Sequence, residues 1–161
     1  MGSNLSASGQ NRAVDAVPAE ELLRLPVRLR GIDVGFAVDV ILDPQARRVL
    51  GLEVLCRDNS HRFLPLTAAE LRPDEIGVAS ALTLLAAGEL AFYRKSGSTL
   101  RSLRGAPVRL QGAHVGRLAD VTVSPNGAIA ALTVRTADGL HNYVLEDGLR
   151  IDADPRRASA A

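Results

Sequence analysis

The sequence predicts a mainly β protein: two small β-barrels in tandem, joined by a short helical linker. Three observations carry this. The stretch "PVRLRGIDVGFAVDVILDP" (Pro26 to Pro44) returns as "PVRLQGAHVGRLADVTVSP" (Pro107 to Pro125), with ten of 19 positions identical at an offset of 81. Short apolar runs separated by Gly, Pro, Asn and Asp turn signals recur through both halves. Two units are too few for a solenoid, and closure into a barrel removes exposed strand edges.

Residues 1–19 are rich in Ser, Ala, Asn and Gly without periodicity and read as a flexible tail. Within "PAEELLRL", Pro18 to Leu25, a short helix begins. The first barrel is read over 20–83. "PVRL" is a strand, Gly31 and Gly35 bracket a tight turn, and "VGFAVDVILD" alternates, with Val34, Phe36, Val38, Val40 and Leu42 on one face. Pro44 ends that strand. "VLGLEVLC" and "HRFLPL" are further strands, "TAAELR" a helical turn with Thr67 as its cap, and "EIGVASAL" the closing strand.

The linker, 84–106, holds two helices. "LLAAGELAFYRKSG" stops at Gly97, and "STLRSLRG" is capped by Ser98 and ends at Gly105. The second barrel, 107–153, repeats the first. With one residue deleted in the turn after Pro44, an offset of 80 matches His61 to His141 and Phe63 to Tyr143. Residues 154–161 read as a second flexible tail.

"L-x-G-x-x-V-G", then "x-x-D-V-x-x-x-P", a turn and "VLGLEV" resemble the PRC-barrel, as does "RFLPL" after His61. The likeness covers Pro26 to Leu82 well and Pro107 to Asp152 more loosely. There "IAALTV" lacks the glycine and "NYVLE" the proline. It implies two PRC-type β-barrels. Barrels of this kind occur in the photosynthetic reaction-centre H subunit and in the ribosome maturation factor. What it implies for function is a non-enzymatic docking or scaffold module. The chain has neither a membrane helix before the barrel nor the maturation factor's other domain, so neither specific role carries over.

Composition narrows the classes. A net charge of +1 supplies no field toward nucleic acid or anionic membrane. The aromatics Phe36, Phe63, Phe92, Tyr93 and Tyr143 are too few for a base-stacking platform. Ile76 to Gly88, the uncharged stretch to weigh as a membrane span, has 13 residues, against the ~20 that span a bilayer. The single Cys56 fits a reducing cytoplasm and reads as a small buried apolar residue. His61, His114 and His141 have no metal-ligand spacing, and no nucleophile elbow, phosphate loop or dinucleotide fingerprint is present.

The residues therefore predict no catalytic, cofactor or metal site. Gly31, Gly35, Gly112 and Gly116 are expected to shape turns. Asp39 and Asp120 are expected to brace them by accepting backbone N–H bonds from the neighbouring glycine turn. Leu90, Phe92 and Tyr93 read as linker-helix packing or, alternatively, as a docking patch. The expected partner is another protein or a second copy. Two alternatives remain open: an RNA-processing or ribosome-assembly factor using arginines such as Arg101, Arg104 and Arg109, and an accessory to a membrane complex of photosynthetic type.

Overall fold

The computed structural model describes residues 16–43 and 45–152. Most of the first tail, Pro44 and the tail read over 154–161 lie outside the described residues.

In chain order, β1 (Val17–Pro18) and α1 (Ala19–Leu22) lead into β2 (Pro26–Leu29), β3 (Ile32–Leu42), β4 (Val49–Cys56) and β5 (His61–Pro65). A 3-10 turn at Leu66–Ala68 precedes β6 (Ala69–Leu71) and β7 (Ile76–Val78). "TAAELR" is thus divided: Thr67 and Ala68 lie in the 3-10 turn, whereas Ala69–Leu71 are strand, and β6 pairs with β7 in a hairpin there. Then come α2 (Ala87–Ser96), β8 (Ser98–Thr99) and α3 (Leu100–Leu103). The second repeat holds β9 (Pro107–Leu110), β10 (Ala113–Val123), β11 (Ile129–Thr136), β12 (Gly139–Val144) and β13 (Leu149–Ile151).

The chain is mainly β, in two curled sheets. One runs β5-β4-β3-β2-β7-β6 and the other β12-β11-β10-β9-β13. Both are open paths: among the described residues no ladder joins β5 to β6 or β12 to β13. Each curls as a half-barrel around apolar side chains. The main core is shared. Val27, Val40, Leu52 and Leu64 belong to the same buried cluster as Val108, Val121, Leu132 and Val134. The physical reason is size, since a unit of roughly 50 residues buries too little apolar surface to stand alone.

The alternation read along β3 breaks. Ala37 pairs with Val54 and Asp39 with Glu53, so Val38 is an extra residue, a β-bulge. The bulge reverses which side chains face inward. Ala37 lies in the core before it, Val40 and Leu42 after it, and Phe36 is turned outward, 47% exposed. β10 repeats the device between Leu118 and Asp120.

The segments before each repeat cross over to the other. β1 lies ahead of the first repeat, yet Val17 and Pro18 pair with Val123 and Thr122 of β10. β8 lies ahead of the second, yet Ser98 and Thr99 pair with Leu42 and Ile41 of β3. The offset of 81 that relates the hairpins relates these arms as well. Val17, Pro18 and Ala19, read as the end of a tail, are therefore built into the fold, with Ala19 fully buried. A second exchange lies at the turns: Arg48 pairs with Ala128, the Val49 N–H donates to Gly127 O (2.8 Å) and the Ile129 N–H to Arg47 O (2.9 Å). These bonds map onto each other at an offset of 80, so an approximate two-fold axis passes between Arg48 and Ala128.

Candidate functional site

The opening hairpins contain two kinds of glycine. Arg30 and Gly31 (φ 50° and 82°) form a two-residue turn, and Gln111 and Gly112 (φ 50° and 83°) repeat it. Gly35 and Gly116 do not bracket those turns. They lie within β3 and β10, where a Cβ would collide with the backbone carbonyls of Leu55 and Arg135 on the next strand.

Asp39 and Asp120 brace something other than the glycine turn. Asp39 Oδ1 accepts the Val40 N–H (2.8 Å) and the Arg101 N–H of α3 (3.2 Å). Asp120 Oδ1 accepts the Val121 N–H (2.9 Å), and its Oδ2 the Glu20 N–H of α1 (3.2 Å). Each aspartate, placed just past a bulge, thus holds the first turn of the helix that crosses from the opposite repeat. Both are buried, at 6% and 7% exposure. Burial pushes both carboxyls above the usual carboxylate range, against the lowering effect of the N–H bonds.

The residues Leu90, Phe92 and Tyr93 separate. Leu90 is buried with Ile41 and Phe63 in a second, smaller cluster. Tyr93 stacks on Phe63 with ring centroids 4.1 Å apart, and Phe92 meets Tyr93 edge-on while staying exposed. Of the three, Phe92 alone offers an open surface.

Beneath α2 lies a residue that the sequence reading passed over. Glu53 is buried within β4, with Arg94 of α2 against Oε1 and His61 Nδ1 3.3 Å from Oε2. The available signal was a carboxylate in the apolar run "VLGLEVLC".

The second repeat has no such cluster. Thr122 stands where Ile41 is, and Thr133 where Glu53 is. β12 is also shifted by one residue relative to the sequence match: Thr133 pairs with Asn142, as Glu53 pairs with Phe63. The counterpart of Phe63 is therefore Asn142, not Tyr143, and that of His61 is Leu140, not His141. The shorter β11–β12 turn causes this slip. Tyr143 faces the main core instead.

Two surface grooves stand out among the described residues. One, of about 480 Å³, is lined by Arg24, Pro26, Asp33, Phe36, Leu55 and Cys56, with Arg57 bound to Asp33 at 2.7 Å. Burial pushes the half-buried Cys56 thiol above its ordinary pKa, so it is a poor nucleophile. In the second repeat Arg117 replaces Phe36 and turns its Nη1 to Gly105 O (2.8 Å). The other groove, about 330 Å³, is lined by Arg28, Arg30, Thr67 and Arg72 but also by Glu70 and Glu75, which pair with Arg72; Glu75 also binds Arg28.

Arg109 is paired with Asp152. Among the described residues, no three His, Cys, Asp or Glu side chains converge to hold a metal ion. Among them, too, no helix is long and apolar enough to cross a membrane. No family model matches the chain, and no curated protein matches it.

Proposed function

We propose that the chain is a non-enzymatic docking protein of the cytoplasm, in which two PRC-type barrels are locked together by exchanged arms and one of them binds another protein. The doubled "L-x-G-x-x-V-G" hairpin and the curled sheets support the barrel reading. The observation that carries the docking reading is the groove around Phe36. A bulge turns a large aromatic outward onto a floor of Pro26, Gly35 and Leu55, rimmed by Arg24 and Arg57. Arg24 is paired with Glu20 and Arg57 with Asp33, so the surface suits a segment offering an apolar side chain. The second repeat has Arg117 and His114 at the places of Phe36 and Asp33, so the frame is used twice and the binding surface once.

The test is affinity capture from the native host with the parent chain and with Phe36→Arg, which installs the second repeat's residue. Proteins captured by the parent and lost with the variant support docking at the groove. An identical set from both chains overturns it. An RNase-treated arm separates the alternatives: RNase-sensitive ribosomal particles favour the RNA-processing or ribosome-assembly role, and intact membrane complexes the accessory role.

A further inference from the structure

The two sheets end differently. In the first repeat the outer edge of β5 is closed: the Phe63 N–H donates to Leu85 O (3.0 Å) and the Leu85 N–H to Phe63 O (2.8 Å), with α2 beyond. The same register position in the second repeat is Asn142, and among the described residues nothing pairs with that edge. The Leu145 N–H donates to Ala130 O (3.0 Å), so the odd-numbered residues of β12 turn their backbone groups toward β11. Leu140, Asn142 and Val144 therefore turn theirs to the open side.

This edge lacks the usual protection. From Gly139 to Val144 it reads "GLHNYV", with no charge and no proline, and its pairing with β11 has no bulge. Leu140 and Val144 are exposed at 56% and 74%.

We infer that β12 is a self-pairing edge, which joins a second copy of this chain as an antiparallel strand centred on Asn142. The register explains the choice of occupant. A two-fold axis at Asn142 sets Leu140 opposite Val144 of the second copy and Asn142 opposite its own equivalent. All six outward backbone donors and acceptors of each strand are then matched, and the two exposed apolar side chains meet across the interface. Centring on His141 or Tyr143 sets them against polar or charged residues instead. Asp138 and Glu146 approach one another at the two ends, a repulsion that salt screens, so association tightens as salt is added. The inference is separate from the groove around Phe36, which lies in the other repeat.

Sedimentation equilibrium of the full chain tests it, at concentrations up to about 100 μM. The parent is expected to dimerise, more tightly at higher salt. Asn142→Pro removes an outward N–H and the bond its side chain accepts from Thr133 Oγ1 while sparing the backbone bonds to β11, and Leu140→Lys places a charge on the edge. Each raises the dissociation constant roughly tenfold or more, as the loss of a matched pair requires. Leu140 is exposed, so Leu140→Lys keeps its fold even should Asn142→Pro not. Phe36→Arg leaves the dimer unchanged. A monomeric parent overturns the inference, including one whose Leu140, Asn142 and Val144 amides are protected from exchange by another part of the same chain. A dimer equally tight in Leu140→Lys overturns it as well.

Discussion

Asp39 and Asp120 hold equivalent places in the two repeats but divide their hydrogen bonds differently. Asp39 accepts both N–H groups on Oδ1, whereas Asp120 uses one oxygen for Val121 and the other for Glu20. An amide side chain can imitate the first arrangement but not the second. Asp39→Asn is expected to stay within about 1 kcal/mol of the parent at neutral pH, and Asp120→Asn to lose about 1–3 kcal/mol by turning an amide NH2 toward an N–H donor. Urea unfolding of the two variants side by side measures the difference.

The same aspartates fix the sign of a pH effect. Their carboxyls are raised in the folded state, so the native chain keeps protons that the unfolded chain has released. Their contribution is fully present below about pH 4 and is lost as pH rises through the raised native values. The pairs at Asp33, Asp58 and Glu75 are lowered and act in the opposite sense, so the parent's profile is a sum. The difference between Asp39→Asn and the parent isolates one group. It is expected to move in favour of the variant as pH rises from about 4 to 7; a flat difference in unfolding free energy across that range contradicts the assignment.

The hairpin glycines divide into two classes under substitution. Gly31→Ala and Gly112→Ala meet open space and carry only the left-handed backbone strain, about 1–2 kcal/mol. Gly35→Ala and Gly116→Ala drive a methyl into a neighbouring carbonyl and are expected to cost more than about 3 kcal/mol. Thermal melting of the four variants gives the order.

Beneath α2, Arg94→Ala leaves the buried Glu53 with His61 as its remaining partner. A loss of about 1–3 kcal/mol is expected, discounted for the half-exposed arginine. Adding Glu53→Thr, the residue the second repeat has at this place, removes the stranded carboxylate and should recover part of the loss. A double-mutant cycle on unfolding free energies checks it.

The local features were legible and the distant ones were not. The doubled hairpin announced itself through glycine and proline spacing, and α2 through its composition, because both are encoded within a few residues. The bulge at Val38 was hidden, since apolar residues continue through it and simple alternation looks intact. Simple alternation therefore puts Phe36 on one face with Val40 and Leu42, and the groove it forms is not legible from the sequence. Asp39 was recognised as a brace, but its partner lies 62 residues along the chain, beyond any local pattern. The match of Phe63 with Tyr143 failed for a related reason: similarity of residue type outweighed a turn shorter by one residue, and only the strand register shows Asn142 in that place. Nothing in "VPAEELL" says which repeat it docks on.

The crossed arms alter what the covalent link between the halves is for. α1 travels with the first repeat and is anchored by Asp120 of the second; α3 travels with the second and is anchored by Asp39 of the first. A peptide-bond cut between Ala79 and Ala86 would leave both anchors, the Arg48–Ala128 pairing and the shared core in place. The two fragments would remain clasped as a heterodimer, and neither would be a complete fold without the other. The connecting segment, by this logic, sets the ratio of the halves at one to one and keeps them at high local concentration, while the clasp itself is non-covalent.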